Sequence, residues 1–335
     1  MGITEKISGA LTPSGLTAGS KNTASARYSS TKVILVLVMV LWGGSFIASK
    51  VGLDSLYPVE MATLRFAIAT PLLLLITVLL YGVKSLKVKG KDLPVLFAMA
   101  MTGVTLQYIV QFVAMTYTTV TNTALLINMG TFFVIIPSVL LLKEKFTADN
   151  TLGVILAFAG AVLVATNGNL TLSVNLIGDG LVLICAVFWA TYILIGNKLA
   201  GKYSVLTQLN YIFIIGFLGL LPFYFLTPHH DIASLGAVSW ASLLYLAIIC
   251  SIIAYFFFND AIIKIGPSQT AIYQYFEPMF AIIFAIVLLS EPFTIAIGLG
   301  AILIIAGIAM ADNNLKIIGL FRKSNIPGPG KEPRS

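Results

Sequence analysis

Ten apolar stretches run along the chain, separated by short polar gaps. They fall at about 33–52, 59–81, 93–115, 122–142, 148–167, 177–198, 205–227, 238–260, 268–290 and 295–313. Each is close to the roughly 20 residues that a helix needs to cross the hydrocarbon of a bilayer. The pattern predicts an all-α membrane protein of ten transmembrane helices, with neighbours antiparallel because the gaps are short. Almost no residue is left for a domain outside the membrane. Residues 1–31, rich in Ser, Thr, Gly and Ala, read as a disordered tail, and 326–335, the end of a tail over 316–335, as a second. No apolar stretch precedes Val33, so the N-terminal segment does not read as a secretory signal.

Composition agrees with this pattern. Of 335 residues, 58% are hydrophobic and 10% charged, whereas soluble domains carry about a quarter charged residues. A soluble globule, a disordered chain and a disulfide scaffold are excluded. The net charge of +7 does not mark a nucleic-acid surface, because the basic residues are scattered in gaps between apolar runs. With the N-terminus placed in the cytoplasm, 18 of the 20 Lys and Arg face that side. That bias predicts a multi-pass protein of the plasma (inner) membrane with both termini cytoplasmic. The exceptions are Lys50, near the outside, and Arg65, within the second span. His229 and His230 fall in an outer loop, where solvation is the default. Asn169-Leu170-Thr171 is also outer, but a bare sequon says little. Cys185 and Cys250 lie in apolar runs and read as packing residues.

The chain repeats itself at an offset of 147 residues. Trp42 maps to Trp189, Tyr108 to Tyr255, and Thr123-Ala124 to Thr270-Ala271. Glu144, Phe146, Thr147, Gly153 and Gly160 map to Glu291, Phe293, Thr294, Gly300 and Gly307. From 141 to 167, 12 of 27 positions are identical without a gap. Apolar bias can supply matched Leu and Ala, but not matched Glu, Phe, Thr and two glycines in register. The units are residues 32–167 and 168–315. Each holds five spans, an odd number, so the second enters the membrane from the opposite side. Two inverted repeats are the architecture of alternating access, with substrate near the midplane at the repeat interface.

These residues resemble the drug/metabolite transporter superfamily, in its EamA-type two-repeat branch. The likeness rests on Leu41-Trp42-Gly43-Gly44-Ser45-Phe46, Leu64-Arg65-Phe66 and Glu277-Pro278. It also rests on the Glu144 and Glu291 loops, followed by spans containing Gly160 and Gly307. It covers about 33–312. The resemblance implies a ten-helix secondary carrier whose central cavity is built by the first four helices of each half. It also implies that the fifth helix of each half is peripheral and serves self-association, here as a homodimer. Substrates in the superfamily include amino acids, other small metabolites, nucleotide sugars and drugs.

Polar residues within the spans are the candidate site, since a charge at the bilayer centre is costly and faces a cavity or a partner. Arg65 sits roughly 9 Å below the outer end of its span, and Glu277 roughly 13–14 Å from the inner end of its own. Arg65 suits capture of a carboxylate; its alternatives are a structural pair or snorkelling to the headgroups. Glu277 reads as a proton site or a carboxylate for an ammonium group, and alternatively as a structural carboxyl paired with Arg65. Pro278 directly follows it and predicts a kink with a freed carbonyl. Helical spacing groups Gln107 with Gln111, Tyr255 with Asn259, Tyr273 with Glu277, Trp42 with Ser45, and Trp189 with Tyr192, each pair on one helix face. Asn128 is a further lone amide. For any single amide, hydrogen bonding between helices competes with substrate contact. Pro71, Pro137, Pro222 and Gly43-Gly44 are candidate flex points.

The leading function is export of small metabolites, amino acids or related zwitterions first, with Arg65 on the carboxylate and Glu277 with amides on the amino end. A proton-coupled multidrug exporter of hydrophobic cations is the alternative. A sugar-phosphate or nucleotide-sugar exchanger needs more positive charge in the spans than Arg65 alone. An intramembrane enzyme needs paired aspartates, a Ser/His arrangement or a metal cluster, and no histidine lies in a span. A channel would need charged rings or filter-like loops. No cofactor or metal is implied. The partners are a small-molecule substrate and the bilayer.

Overall fold

The computed structural model describes residues 16–118, 123, 126–168, 175–289 and 293–312. Among them the regular structure is entirely helical. The helices are α1 (Leu16–Leu53), α2 (Pro58–Tyr81), α3 (Gly90–Tyr117), α4 (Gly130–Leu141) and α5 (Ala148–Ala165). They continue with α6 (Leu176–Leu199), α7 (Val205–Leu226), α8 (Ala237–Ile265), α9 (Pro267–Leu288) and α10 (Ile295–Ala311). Eight are long and apolar enough to cross a membrane; α4 and α10 are apolar but shorter. The sequon and Glu291 lie outside the described residues, as does most of the outer turn before α4.

Local chemistry sets the helix ends. Pro58 opens α2, and Glu60 reaches back to the Tyr57 amide at 3.0 Å. The repeat mates Thr147 and Thr294 cap α5 and α10, accepting from the amides of Asn150 at 3.2 Å and Ile297 at 3.3 Å. Ser204 caps α7 and Asn175 caps α6 in the same way. α1 starts well ahead of Val33, at Leu16. Extending an existing helix avoids the cost of nucleating one.

Packing follows the repeat. α2 lies on α7 and α5 on α10, each pairing a helix with its own mate. α3 and α4 pack on α6, while their mates α8 and α9 pack on α1. The α5–α10 contact is built by glycines. A methyl at Gly153 would come within 2.5 Å of the Gly307 carbonyl oxygen, and one at Gly160 within 2.6 Å of Gly300. The early glycine of each helix meets the late glycine of the other, so the two run antiparallel.

Several irregularities also respect the offset. α3 contains a π-helical turn at Met101–Thr105, and α8 a longer one at Tyr245–Ile253. α9 is interrupted by a 3-10 turn at Tyr273–Tyr275, and a turn at 128–129 precedes α4 at the corresponding level. The kink expected at Pro278 thus falls just before it, where the proline cannot donate to the Gln274 carbonyl. α2, α4 and α7 run on as helices through Pro71, Pro137 and Pro222. Gly43 and Gly44 do not break α1 either. They admit α9, with Phe280 and Ala281 at the Gly43 surface, and the Tyr245 hydroxyl at Gly44.

Candidate functional site

A partly open cavity lies between the halves. Of the residues singled out in the sequence, Trp42, Ser45, Arg65, Gln107, Gln111, Asn128, Trp189 and Glu277 line it. Ser49, Tyr108, Phe112, Ile127, Thr131 and Gln274 complete the wall. Ser49 lies one turn beyond Ser45 on α1, and Phe112 one turn beyond Tyr108 on α3, so helical spacing would have found both. Gln274 lies three residues before Glu277 on α9, the spacing that also groups Trp42 with Ser45.

Arg65 is buried without a carboxylate. Its Nε donates to the Ser251 hydroxyl at 2.7 Å, and its guanidinium carbon lies 4.3 Å from the centre of the Tyr108 ring. That is close enough for cation–π attraction. No ion pair within 4.0 Å joins Arg65 to Glu277 among the described residues. The pairing that would make both charges structural is therefore not formed, and both face the same space from different helices.

Aromatic rings form one wall. Trp42 and Trp189, repeat mates, meet edge to face at 5.6 Å, and Tyr255 lies 5.9 and 5.7 Å from them. Tyr108 and Tyr255, also mates, share a hydrogen bond of 2.8 Å. Tyr192, Tyr255, Asn259 and Tyr273 do not line the cavity. Tyr192 donates to Asn259 at 2.8 Å, and Tyr255 to the Gly103 carbonyl at 2.9 Å. Tyr273 donates to Asp312 at 2.7 Å. These four polar groups join helices instead.

The wall residues lie in the middle and one half of the bundle. The other end gathers the lysine-rich turns 82–92, 143–147 and 199–204, and several contacts tie helices together there. Lys32 in α1 pairs with Asp312 after α10, which also holds Tyr273. Glu144 sits against the α8–α9 turn, where Gly266 has φ 86° and Ser268 donates its amide at 3.3 Å. Asn150 donates to the Ala311 carbonyl at 2.6 Å. At the lysine-poor end, the backbone of His230 and its ring bind Glu60 at 2.8 and 2.9 Å. His230 is thus an anchor for its loop, while His229 is exposed. Cys185 and Cys250 are free and buried.

A polar, aromatic-walled cavity inside a bundle of apolar helices defines a membrane transporter. The chain belongs to the EamA-like transporter family, whose model matches it twice, at residues 30–166 and 176–311. An uncharacterized transporter of Archaeoglobus fulgidus is 36% identical over 84% of this chain and 96% of its own. A probable terminal-alkyne amino-acid exporter of Streptantibioticus cattleyicolor is 26% identical over 88% of this chain and 96% of its own. One crystal structure superposes with a TM-score of 0.73 over 89% of this chain and 99% of that one, at 18% identity, a likeness of fold alone.

Proposed function

We propose that the protein is a secondary active transporter that exports small metabolites, amino acids or related zwitterions first, across the plasma membrane by alternating access. The observation that carries the substrate class is the placement of Arg65 and Glu277 on one cavity without an ion pair between them. A zwitterion offers a carboxylate to the guanidinium, which binds planar anions through several donors, and an ammonium to the carboxylate. Gln107, Gln111 and Asn128 supply further hydrogen bonds along the wall. The relative named as an amino-acid exporter supports the same class. A hydrophobic cation would find Glu277 and aromatic rings but would also meet Arg65, so the multidrug reading is second.

The mechanism is supported by the repeat. Antiparallel α5 and α10, mate-on-mate packing and matching π turns fit ten spanning helices in two inverted halves, whose two access states are near mirror images. The lysine-rich end faces the cytoplasm by the positive-inside rule. The contacts among Lys32, Asp312 and Tyr273 then close the cytoplasmic side, and the cavity belongs to an outward-facing state.

Flux into proteoliposomes, over a panel of amino acids, organic cations and sugar phosphates with and without a pH gradient, tests this reading. Amino acids are expected to move. Arg65→Ala is expected to lower their uptake at least tenfold, the scale of a lost charged hydrogen bond, and to spare substrates without a carboxylate. Equal loss for both would remove the carboxylate role. Glu277→Gln is expected to abolish the response to the pH gradient, and a response left intact would remove the coupling role.

A further inference from the structure

The offset of 147 residues also pairs hydrogen-bonding groups, and around the two π turns the bonds that mates make differ. Gly103 and Cys250 are mates, each within a π turn, a helix irregularity that recurs at functional sites. The Cys250 carbonyl accepts from Trp42 Nε1 at 3.1 Å, and the Gly103 carbonyl accepts from the Tyr255 hydroxyl at 2.9 Å. Tyr255 has spent its single proton on Gly103, so Tyr108 is the donor in the bond between the two tyrosines. Exchanging every residue for its mate gives a different set. Trp189 would donate to the Gly103 carbonyl, and Tyr108 to the Cys250 carbonyl. Neither bond is formed among the described residues. Instead Trp189 Nε1, on a residue that lines the cavity, is itself buried and has no partner among the described residues. Such a donor calls for an explanation, because leaving it unmet is costly.

We propose that Trp42 and Trp189 alternate as the hydrogen-bond donor offered to the transported molecule. In the state described here, the α8 carbonyl holds Trp42, and Trp189 presents its indole N–H to an acceptor oxygen of the substrate, such as a carboxylate. In the mirror state the α3 carbonyl takes Trp189, Tyr108 moves to the Cys250 carbonyl, and Trp42 faces the substrate. This rests on the alternating-access reading above. The exchange runs between neighbours, since the two indoles touch and Tyr255 lies within 6 Å of both. Each π-turn carbonyl keeps one donor in either state, so the network itself favours neither.

The test uses the full chain in proteoliposomes, with Cys185 and Cys250 changed to Ala, which leaves the Cys250 carbonyl in place. Single reporter cysteines replace Ser49 on the cavity wall or Ser268 at the closed end. Trp42→Phe and Tyr255→Phe remove donors used in the present state. Each is expected to slow thiol labelling at Ser49→Cys and to speed it at Ser268→Cys, by roughly two- to tenfold, the worth of one hydrogen bond. Trp189→Phe and Tyr108→Phe are expected to shift both rates the other way. Trp189→Phe should also weaken protection of Ser49→Cys by a transported amino acid, although it enriches the state that binds it. The tyrosine variants lose only a hydroxyl and keep the test open if an indole variant fails to fold. Same-direction shifts from both members of the tryptophan or the tyrosine pair, or no shift from any variant, overturn the exchange. If the transporting parent never exposes Ser268→Cys, the alternating-access reading itself fails.

Discussion

At Arg65 the choice of side chain matters more than its charge. One nitrogen is used on Ser251 and the plane stacks on Tyr108, which leaves the outer fork for a ligand. Lysine keeps the charge but cannot do both tasks. Arg65→Lys is expected to weaken binding of a carboxylate substrate roughly tenfold or more, the scale of a hydrogen bond to a charged group, measured by calorimetry on the purified protein. An unchanged affinity would make Arg65 a point charge only. Arg65 and Glu277 were legible in the sequence because charges are scarce in apolar spans. Tyr192, Asn259 and Tyr255 show where that reading stopped. Spacing along one helix assigns a polar face, but whether the face meets a cavity or another helix depends on what packs opposite. Here Asn259 on α8 faces Tyr192 on α6, and they satisfy each other.

The α5–α10 pair makes the corresponding point for elements. Gly153, Gly160, Gly300 and Gly307 stood out as repeated positions, and the reason is the approach of one backbone to the other. Gly160→Ala places a methyl 2.6 Å from a carbonyl oxygen, which is expected to cost about 1–3 kcal/mol and to lower the melting temperature in detergent. Gly180→Ala, the same change where a Cβ would meet nothing within 4 Å, is expected to leave the melting temperature unchanged or raise it. Equal effects would mean that the seam is loosely packed. The expectation that α5 and α10 are peripheral missed that they cover each other. Helix breaks were harder to read. Of the prolines inside spans, Pro278 accompanies a 3-10 turn, whereas α2, α4 and α7 absorb theirs. The π turns carry no breaker signal, because widening a helix by one residue asks for no special side chain.

For the whole molecule, the distribution of lysine predicts orientation. Ser85 is partly exposed at the lysine-rich end and Ala233 exposed at the other. In intact cells a membrane-impermeant thiol reagent is expected to label Ala233→Cys, and to reach Ser85→Cys only after permeabilisation. The reverse pattern would invert the assignment and make the cavity cytoplasmic. The spans and the repeat were readable from hydrophobic runs and from self-similarity at one offset, both long-range features that survive local errors. The depth of the cavity was not, since it depends on which helices part at one end and which stay tied at the other.

The glycine seam has a mechanical consequence. Its contacts pair Gly153 with Gly307 and Gly160 with Gly300, a set that maps onto itself at the repeat offset, and they bring backbone against backbone. A small rotation about the line of contact carries atoms near it through short arcs and atoms far from it through long ones. On the alternating-access reading proposed above, the joint can turn without parting, which would make α5 and α10 a pivot pin while the ends of the bundle swing open and shut around them.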